Sequence, residues 1–191
     1  HFLRNVTDEV RTRNALQDSR RRLALSLDAA QAGTWGVELT TGQYFRDERT
    51  TRLLGIAPGS EPLQWSTFIH PDDRLRVEEV FTRAIKGNGE SCDVEFRAIR
   101  PDGSEVWLAS RSTVFRQDQR EPMMLGIVQD ITERKRAEQM LREKTEELDR
   151  IFRLTPDLLC IADTDGYFRS VNEAFEKVLG YSRQELAGAL Y

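Results

Sequence analysis

The first 31 residues carry no proline or glycine, and apolar residues recur at Leu3, Val6 and Val10, then at Leu16, Leu23 and Leu27. This spacing predicts a helix over 1–31 with a break in phase near Arg11–Arg13. Gly33 ends it, as a glycine just past a helix does. The period then changes. Thr34-Trp35-Gly36-Val37-Glu38-Leu39 reads as a strand, Thr40-Thr41-Gly42-Gln43 as a turn and Tyr44-Phe45 as the return strand of a hairpin. Short helical pieces follow to Leu53-Leu54-Gly55, then a loop with Pro58, Gly59 and Pro62. His70-Pro71-Asp72-Asp73-Arg74 opens a longer helix carrying Leu75, Val77, Val80, Phe81, Ala84 and Ile85. Pro71 suits its first turn, and the acidic pair suits the positive end of the helix dipole. Gly87-Asn88-Gly89 stops it.

Three strands come next. Cys92, Val94, Phe96 and Ala98 alternate with Asp93, Glu95 and Arg97, the period of a sheet with one buried face. Pro101-Asp102-Gly103-Ser104 supplies a hairpin turn. Val106–Phe115 and Met123–Ile131 complete the set. The economical assembly is α+β: a five-stranded antiparallel sheet with helices on one side. From Glu133 to about Leu154 the chain is helical and highly charged. Leu141, Thr145, Leu148 and Phe152 step by four, three and four, the seam spacing of a coiled coil. Thr155-Pro156 breaks it.

The pattern then restarts. Leu158–Ala162 reads as a strand, Asp163-Thr164-Asp165-Gly166-Tyr167-Phe168 repeats the sense of the first hairpin, and Val178-Leu179-Gly180 repeats Leu53-Leu54-Gly55. Gly166 lies 124 residues after Gly42, and Gly180 lies 125 after Gly55. A tandem repeat of that period follows. The expected organisation is a helix at 1–31, a complete domain at 32–132, a connecting helix at 133–154 and a partial second copy at 155–191. A hairpin with short helices buries little, so this half-copy is expected to be disordered, packed on a neighbour or completed by another chain.

Composition narrows the function. The 191 residues include 28 Lys and Arg against 32 Asp and Glu, a formal charge of −4, which argues against a nucleic-acid partner. The longest apolar runs fall far short of the roughly 20 residues that cross a bilayer, so no direct membrane contact is expected. Cys92 and Cys160 form no metal or disulfide pattern and read as free thiols of a cytoplasmic protein, which is compatible with a membrane-anchored parent.

The residues resemble the PAS family in its subtype with a C-terminal PAC segment. The hairpin at Trp35–Phe45, His70-Pro71-Asp72-Asp73-Arg74, the Glu95-Phe96-Arg97 strand, Asp102-Gly103 followed by Trp107, and Asp130-Ile131-Thr132-Glu133-Arg134 carry the likeness in the family's order. The resemblance implies a cupped five-stranded sheet that often encloses a small-molecule pocket. It also implies a parent such as a sensor histidine kinase or diguanylate cyclase, with the output domain in the same chain. A homodimer through the helices at 1–31 and 133–154 is the expected assembly. Trp35, Phe68, Phe81, Phe96 and Trp107 are the candidate pocket residues, though aromatics at such spacing are also plain core. The family's last-strand aspartate implies a signal relay at Asp130, Ile131 and Thr132, with Arg134 or Arg111 as the basic partner. A simple helix cap is the alternative role for Asp130, and the two are compatible.

The chemistry-bearing motifs have plainer readings. His70 beside two carboxylates reads as a helix start rather than a metal site. Haem is disfavoured, because Leu75–Lys86 holds no histidine. A cysteinyl flavin is disfavoured, because Arg49–Gly55 holds no cysteine and Gln129 is one residue from the position such a site uses. Non-covalent flavin or a small ligand stays open. Asp163-x-Asp165-Gly166 echoes a calcium loop, but position 172 is Asn where that loop needs Glu. Arg20-Arg21-Arg22 and Arg134-Lys135-Arg136 read as solvated helix faces. No nucleophile, acid–base pair or phosphate loop appears, so the chain is expected to carry no catalysis of its own.

Overall fold

The computed structural model describes residues 2–57, 65–87, 91–116 and 121–186, with side chains from Arg11 onward except that of Arg183. The loop at Pro58, Gly59 and Pro62, the Asn88-Gly89 stop and the side chains of Leu3, Val6 and Val10 lie outside this set. The chain divides into two compact units, His1–Glu133 and Arg134–Tyr191.

The first unit opens with α1 (Phe2–Ala29), one continuous helix. Its side chains from Arg11 to Ala29 are exposed apart from half-buried Leu27. Only Ala30 and Gln31 separate it from β1 (Ala32–Glu38). Gln31, at φ +51°, turns the chain in the left-handed region, and its N–H donates to Asp28 O at 2.9 Å. β2 (Tyr44–Arg46) closes the hairpin, followed by α2 (Glu48–Leu53). A short 3-10 turn at Trp65–Phe68 leads to α3 (Pro71–Lys86). Then come β3 (Ser91–Ile99), β4 (Glu105–Phe115) and β5 (Met123–Asp130). The sheet order is β2-β1-β5-β4-β3 and every pairing is antiparallel.

The alternation read from the sequence sets the two faces. Val94, Phe96 and Ala98 of β3, Val106 and Leu108 of β4 and Met124 and Val128 of β5 are buried in one core with Trp35, Phe68, Val77 and Phe81. Gly126 leaves no room for a side chain: a Cβ there would meet Arg111 O, Ser112 Cβ and the Trp35 ring, each at 2.8 Å.

α3 shows how local chemistry places a core helix. His70 caps it, its Nδ1 accepting from Asp72 N at 3.2 Å, with Pro71 in the first turn. Asp73, Val77, Phe81 and Ala84 fall on one face and are buried. At the far end Arg116 Nη1 donates to Gly87 O at 2.7 Å, and its other nitrogen donates to Ile85 O. These bonds satisfy carbonyls that a helix end leaves open.

α3 also closes one free edge of the sheet. β3 is one of the two outermost strands, β2 being the other, and an open edge invites pairing with other chains. Asp73 Oδ2 accepts from Arg97 N at 2.8 Å, His70 N donates to Arg97 O at 2.8 Å, and Arg76 Nη2 donates to Glu95 O at 2.8 Å.

α4 (Thr132–Leu154) starts at the end of the first unit. Within the second unit its charged side chains pair along the helix, Arg134 with Glu138 and Arg142 with Glu146. No described side chain of α4 is buried, and Leu141 and Leu148 are largely exposed. β6 (Cys160–Ala162) and β7 (Phe168–Val171) form a hairpin, followed by α5 (Glu173–Leu179) and α6 (Arg183–Leu186). Asp163 is the hairpin turn, its Oδ1 accepting from Asp165 N and Tyr167 N. Val171, Ala174 and Phe175 are buried, and Phe175 stands edge-on to Phe168.

The two units share one side-chain bracket on the strand side, though only Asp47 also caps the helix that follows it. In the first, Asp47 caps α2 through Thr50 N (2.7 Å) and also accepts from Thr34 N at 2.7 Å. In the second, fully buried Asn172 precedes α5 and accepts from Leu159 N at 3.1 Å. Asn172 lies 125 residues after Asp47, and Leu159 lies 125 after Thr34, so the repeat extends to individual hydrogen bonds.

Candidate functional site

A cavity lies between the inner sheet face and the helices of the first unit. Trp35, Tyr44, Thr50, Leu54, Trp65, Phe68, Phe81, Phe96, Leu108, Ser110 and Val128 line it. Aromatic rings occupy most of the space. Phe81 stands edge-on to Trp35 at 5.8 Å and to Trp65 at 4.7 Å, while Tyr44 stacks on Trp35 at 6.3 Å. About 40 Å³ of room remains among the described residues. That suits a few waters or a very small molecule, against roughly 300–1,000 Å³ for ordinary ligand pockets. A flavin ring would require repacking.

Polar groups in this region are few. Trp35 Nε1 donates to Ser110 Oγ at 3.2 Å. Burial pushes the Tyr44 phenol up to about 12, with Arg46 pulling weakly the other way. Burial also raises the Cys92 thiol, whose sulfur lies 3.5 Å from Ser112 Oγ. Both groups stay protonated at neutral pH.

Four of the five candidate pocket aromatics line the cavity, and Trp107 does not. It sits between Val106 and Leu108, which face inward, so it belongs to the outer face, with the Arg97 guanidinium 5.9 Å from its ring centre.

The strand–helix junction is a separate construction. Ile131 N donates to Trp107 O at 2.9 Å, and Thr132 Oγ1 accepts from Trp107 N at 3.0 Å. Asp130 Oδ1 accepts from Thr132 N at 2.8 Å, satisfying an open donor of the α4 start. The basic partner of Asp130 is Arg100, with Nη2 standing 3.6 Å from Oδ2. It is neither expected arginine. Arg111 pairs across the outer face with Asp93 at 2.8 Å, and Arg134 pairs with Glu138 at 2.7 Å. The reason for Arg111 is register. It lies opposite Ile127 and Asp93, while Asp130 lies opposite Leu108.

Arg100 comes from the turn after β3, where its Nε donates to Leu53 O at 2.8 Å. Gly55, at φ +65°, makes room for it; a Cβ would meet the Arg100 chain at 3.1 Å. The arginine therefore spans the end of α2, the β3–β4 turn and the junction. Leu54, next to its carbonyl partner, lines the cavity.

Comparison with known proteins places this architecture. The PAS fold profile matches residues 43–128, and a second PAS fold profile matches 146–191. The crystal structure of a sensory box histidine kinase/response regulator from Burkholderia thailandensis superposes with a TM-score of 0.58 and is 32% identical. It covers 68% of this chain and 98% of that one. The chain belongs to the PAS family. Its PAS relatives include the sensor protein FixL of Bradyrhizobium diazoefficiens, 31% identical over 82% of this chain and 31% of FixL. A blue-light-activated histidine kinase of Brucella ovis is 31% identical over 63% of this chain and 24% of its own. The chain thus spans less than a third of either relative.

Within the PAS framework, sequence reasoning missed Arg100 as the partner of Asp130. Its only signal was a basic residue just before Pro101-Asp102-Gly103. Gln129 is likewise used unexpectedly: Val128 lines the cavity, and the Gln129 amide donates to Ala30 O at 3.0 Å.

Proposed function

We propose that the chain is a sensory and coupling module of a multidomain signal-transduction protein. A change in packing inside the first sheet passes along β5 to Asp130-Ile131-Thr132 and redirects α4, which biases an output domain of the same polypeptide. The observation that carries this reading is the junction itself. Asp130 holds the first turn of α4 and pairs with Arg100, whose other contact adjoins the cavity wall. A coupling of about 1–3 kcal/mol suffices for such a switch. The names of the relatives, a sensor protein and histidine kinases, support the class.

The test is Asp130→Ala in the longest natural form of the protein. Loss of one cap costs about 1 kcal/mol, so the fold should persist while output ceases to follow input. An unaltered response with that substitution removes the relay.

The output helix works in a dimer in this proposal. Leu141 and Leu148 are exposed apolar residues one heptad apart, and in a coiled coil they would face a partner. Leu141→Glu with Leu148→Glu should convert the dimer to a monomer by analytical ultracentrifugation. A wild-type chain already monomeric at high concentration speaks against it.

A second reading has its own support. The cavity is crowded by Trp35, Trp65 and Phe81, which favours a ligand-free module that spaces and couples helices. Absorbance of the purified protein and mass spectrometry of its denatured extract separate the two: a stoichiometric bound molecule excludes the ligand-free reading.

A further inference from the structure

Gln129 and Asp130 are consecutive on β5, and each holds a different helix. Gln129 lies opposite Ala32 in the ladder, and its Nε2 donates at 3.0 Å to Ala30 O, just past the end of α1. Asp130 Oδ1 takes Thr132 N, at the start of α4. One dipeptide thus touches the exit of the first helix and the start of the next. The connection from α1 is short, two residues closed by Gln31 at φ +51°, so a shift of α1 has little slack to absorb it.

A second strap runs parallel to the first. Arg49 of α2 pairs with Asp28 in the last turn of α1. At the other end of α2, Leu53 O takes Arg100 Nε at 2.8 Å, and Arg100 Nη2 stands 3.6 Å from Asp130 Oδ2. The helix between these contacts is six residues long and acts as a short lever. Both routes end on Asp130.

We infer that the C-terminal turn of α1 is an input site of this module. A displacement of α1 passes through Gln129, and through α2 and Arg100, to Asp130 and the first turn of α4. Nothing need enter the cavity. The inference rests on the reading of Asp130 as the output junction.

Residue-resolved amide exchange on the 191-residue chain tests it. Among the described residues the Gln129 and Arg49 side chains hydrogen-bond to the end of α1 and not to α4, so a role in holding α1 alone leaves the protection of the Thr132 amide unchanged. Gln129→Met, which keeps the length without the donor, and Arg49→Ala should each speed exchange at Thr132 and Glu133 by at least about five-fold. Arg49→Lys, which keeps a cation for Asp28, should not. Exchange at Val106 and Leu108 in the core should stay at the wild-type rate throughout. In an Asp130→Ala background, itself faster at Thr132, Gln129→Met should add nothing, because its effect runs through Asp130. If Gln129→Met and Arg49→Ala loosen only α1 and leave Thr132 as in wild type, the input site is wrong and the junction stands. If Asp130→Ala leaves Thr132 unchanged, the junction reading falls and takes this inference with it.

Discussion

Phe81→Ala is expected to destabilise the first unit by about 3–5 kcal/mol, the range for removing a buried phenylalanine side chain. Phe81 is 6% exposed and forms edge-on pairs with Trp35 and Trp65, so two aromatic pairs worth about 0.5–1.5 kcal/mol each are lost with the buried area. The void would merge with the existing cavity and leave both indoles less constrained. Urea unfolding followed by tryptophan emission reads both effects, a lower midpoint and a red shift in the folded baseline. Phe81→Leu keeps most of the volume and should cost less than half as much. Equal losses from the two substitutions would mean that the rings are not what fills this space. The enlarged site also offers a positive test: an apolar cavity of sufficient size stays dry and takes small aromatic molecules. Benzene should therefore raise the midpoint of the variant and leave the wild type unchanged.

The second large effect concerns Asp73. Hydrogen bonds from the Arg97 side chain, with burial working against them and the Arg97 N–H and charge adding to them, hold its carboxyl at about 2. The folded value lies below the ordinary 3.8. The stability it contributes is therefore complete above that value and is lost as pH falls from there through about 2. Breaking a buried pair costs about 3–5 kcal/mol. The Arg97 side chain is a quarter exposed, which lowers the expected loss for Asp73→Asn at pH 7 to about 2 kcal/mol. Urea midpoints measured from pH 7 to 2.5 should draw together for wild type and variant as the pH falls, with a reduced gap left at pH 2.5 because the folded carboxyl titrates lower, at about 2. A constant gap between the curves at every pH would assign the cost to packing and not to the charge. Because Asp73 also covers the Arg97 amide at the sheet edge, the variant should aggregate more readily on standing.

Much of the fold could be read from the chain because its signals are local. The hairpin, the start of α3 at His70-Pro71 and the alternation from Cys92 to Ala98 each depend on neighbours in sequence, and the structure realises all three. The repeat was visible in Gly42 and Gly166. What stayed hidden depends on pairs far apart. Arg100 meets Asp130 only because β3 and β5 end beside one another across β4. Trp107 was misplaced for a different reason. Its hydrophobicity suggested the cavity, but its position between Val106 and Leu108 gives it the opposite parity, and parity decides the face in a strand. A cap role for Asp130 was one of the readings its place before a charged helix allowed, while the end of α1 held by Gln129 had no sequence signal at all.

The shared bracket of the two units uses different chemistry in each copy. Burial works against the Asp47 charge, but hydrogen bonds from Thr50 and Thr34 outweigh it and hold the carboxyl below its usual value. Asn172 presents an uncharged amide to the equivalent strand, and its Nδ2 also donates to Thr155 O and Asp157 O. The same contact to the strand therefore exists in a titratable form and in a form with no proton to gain. Strong acid loosens the bracket of the first copy and leaves the bracket of the second chemically unaltered, so two repeats of one architecture answer the same acidic medium differently.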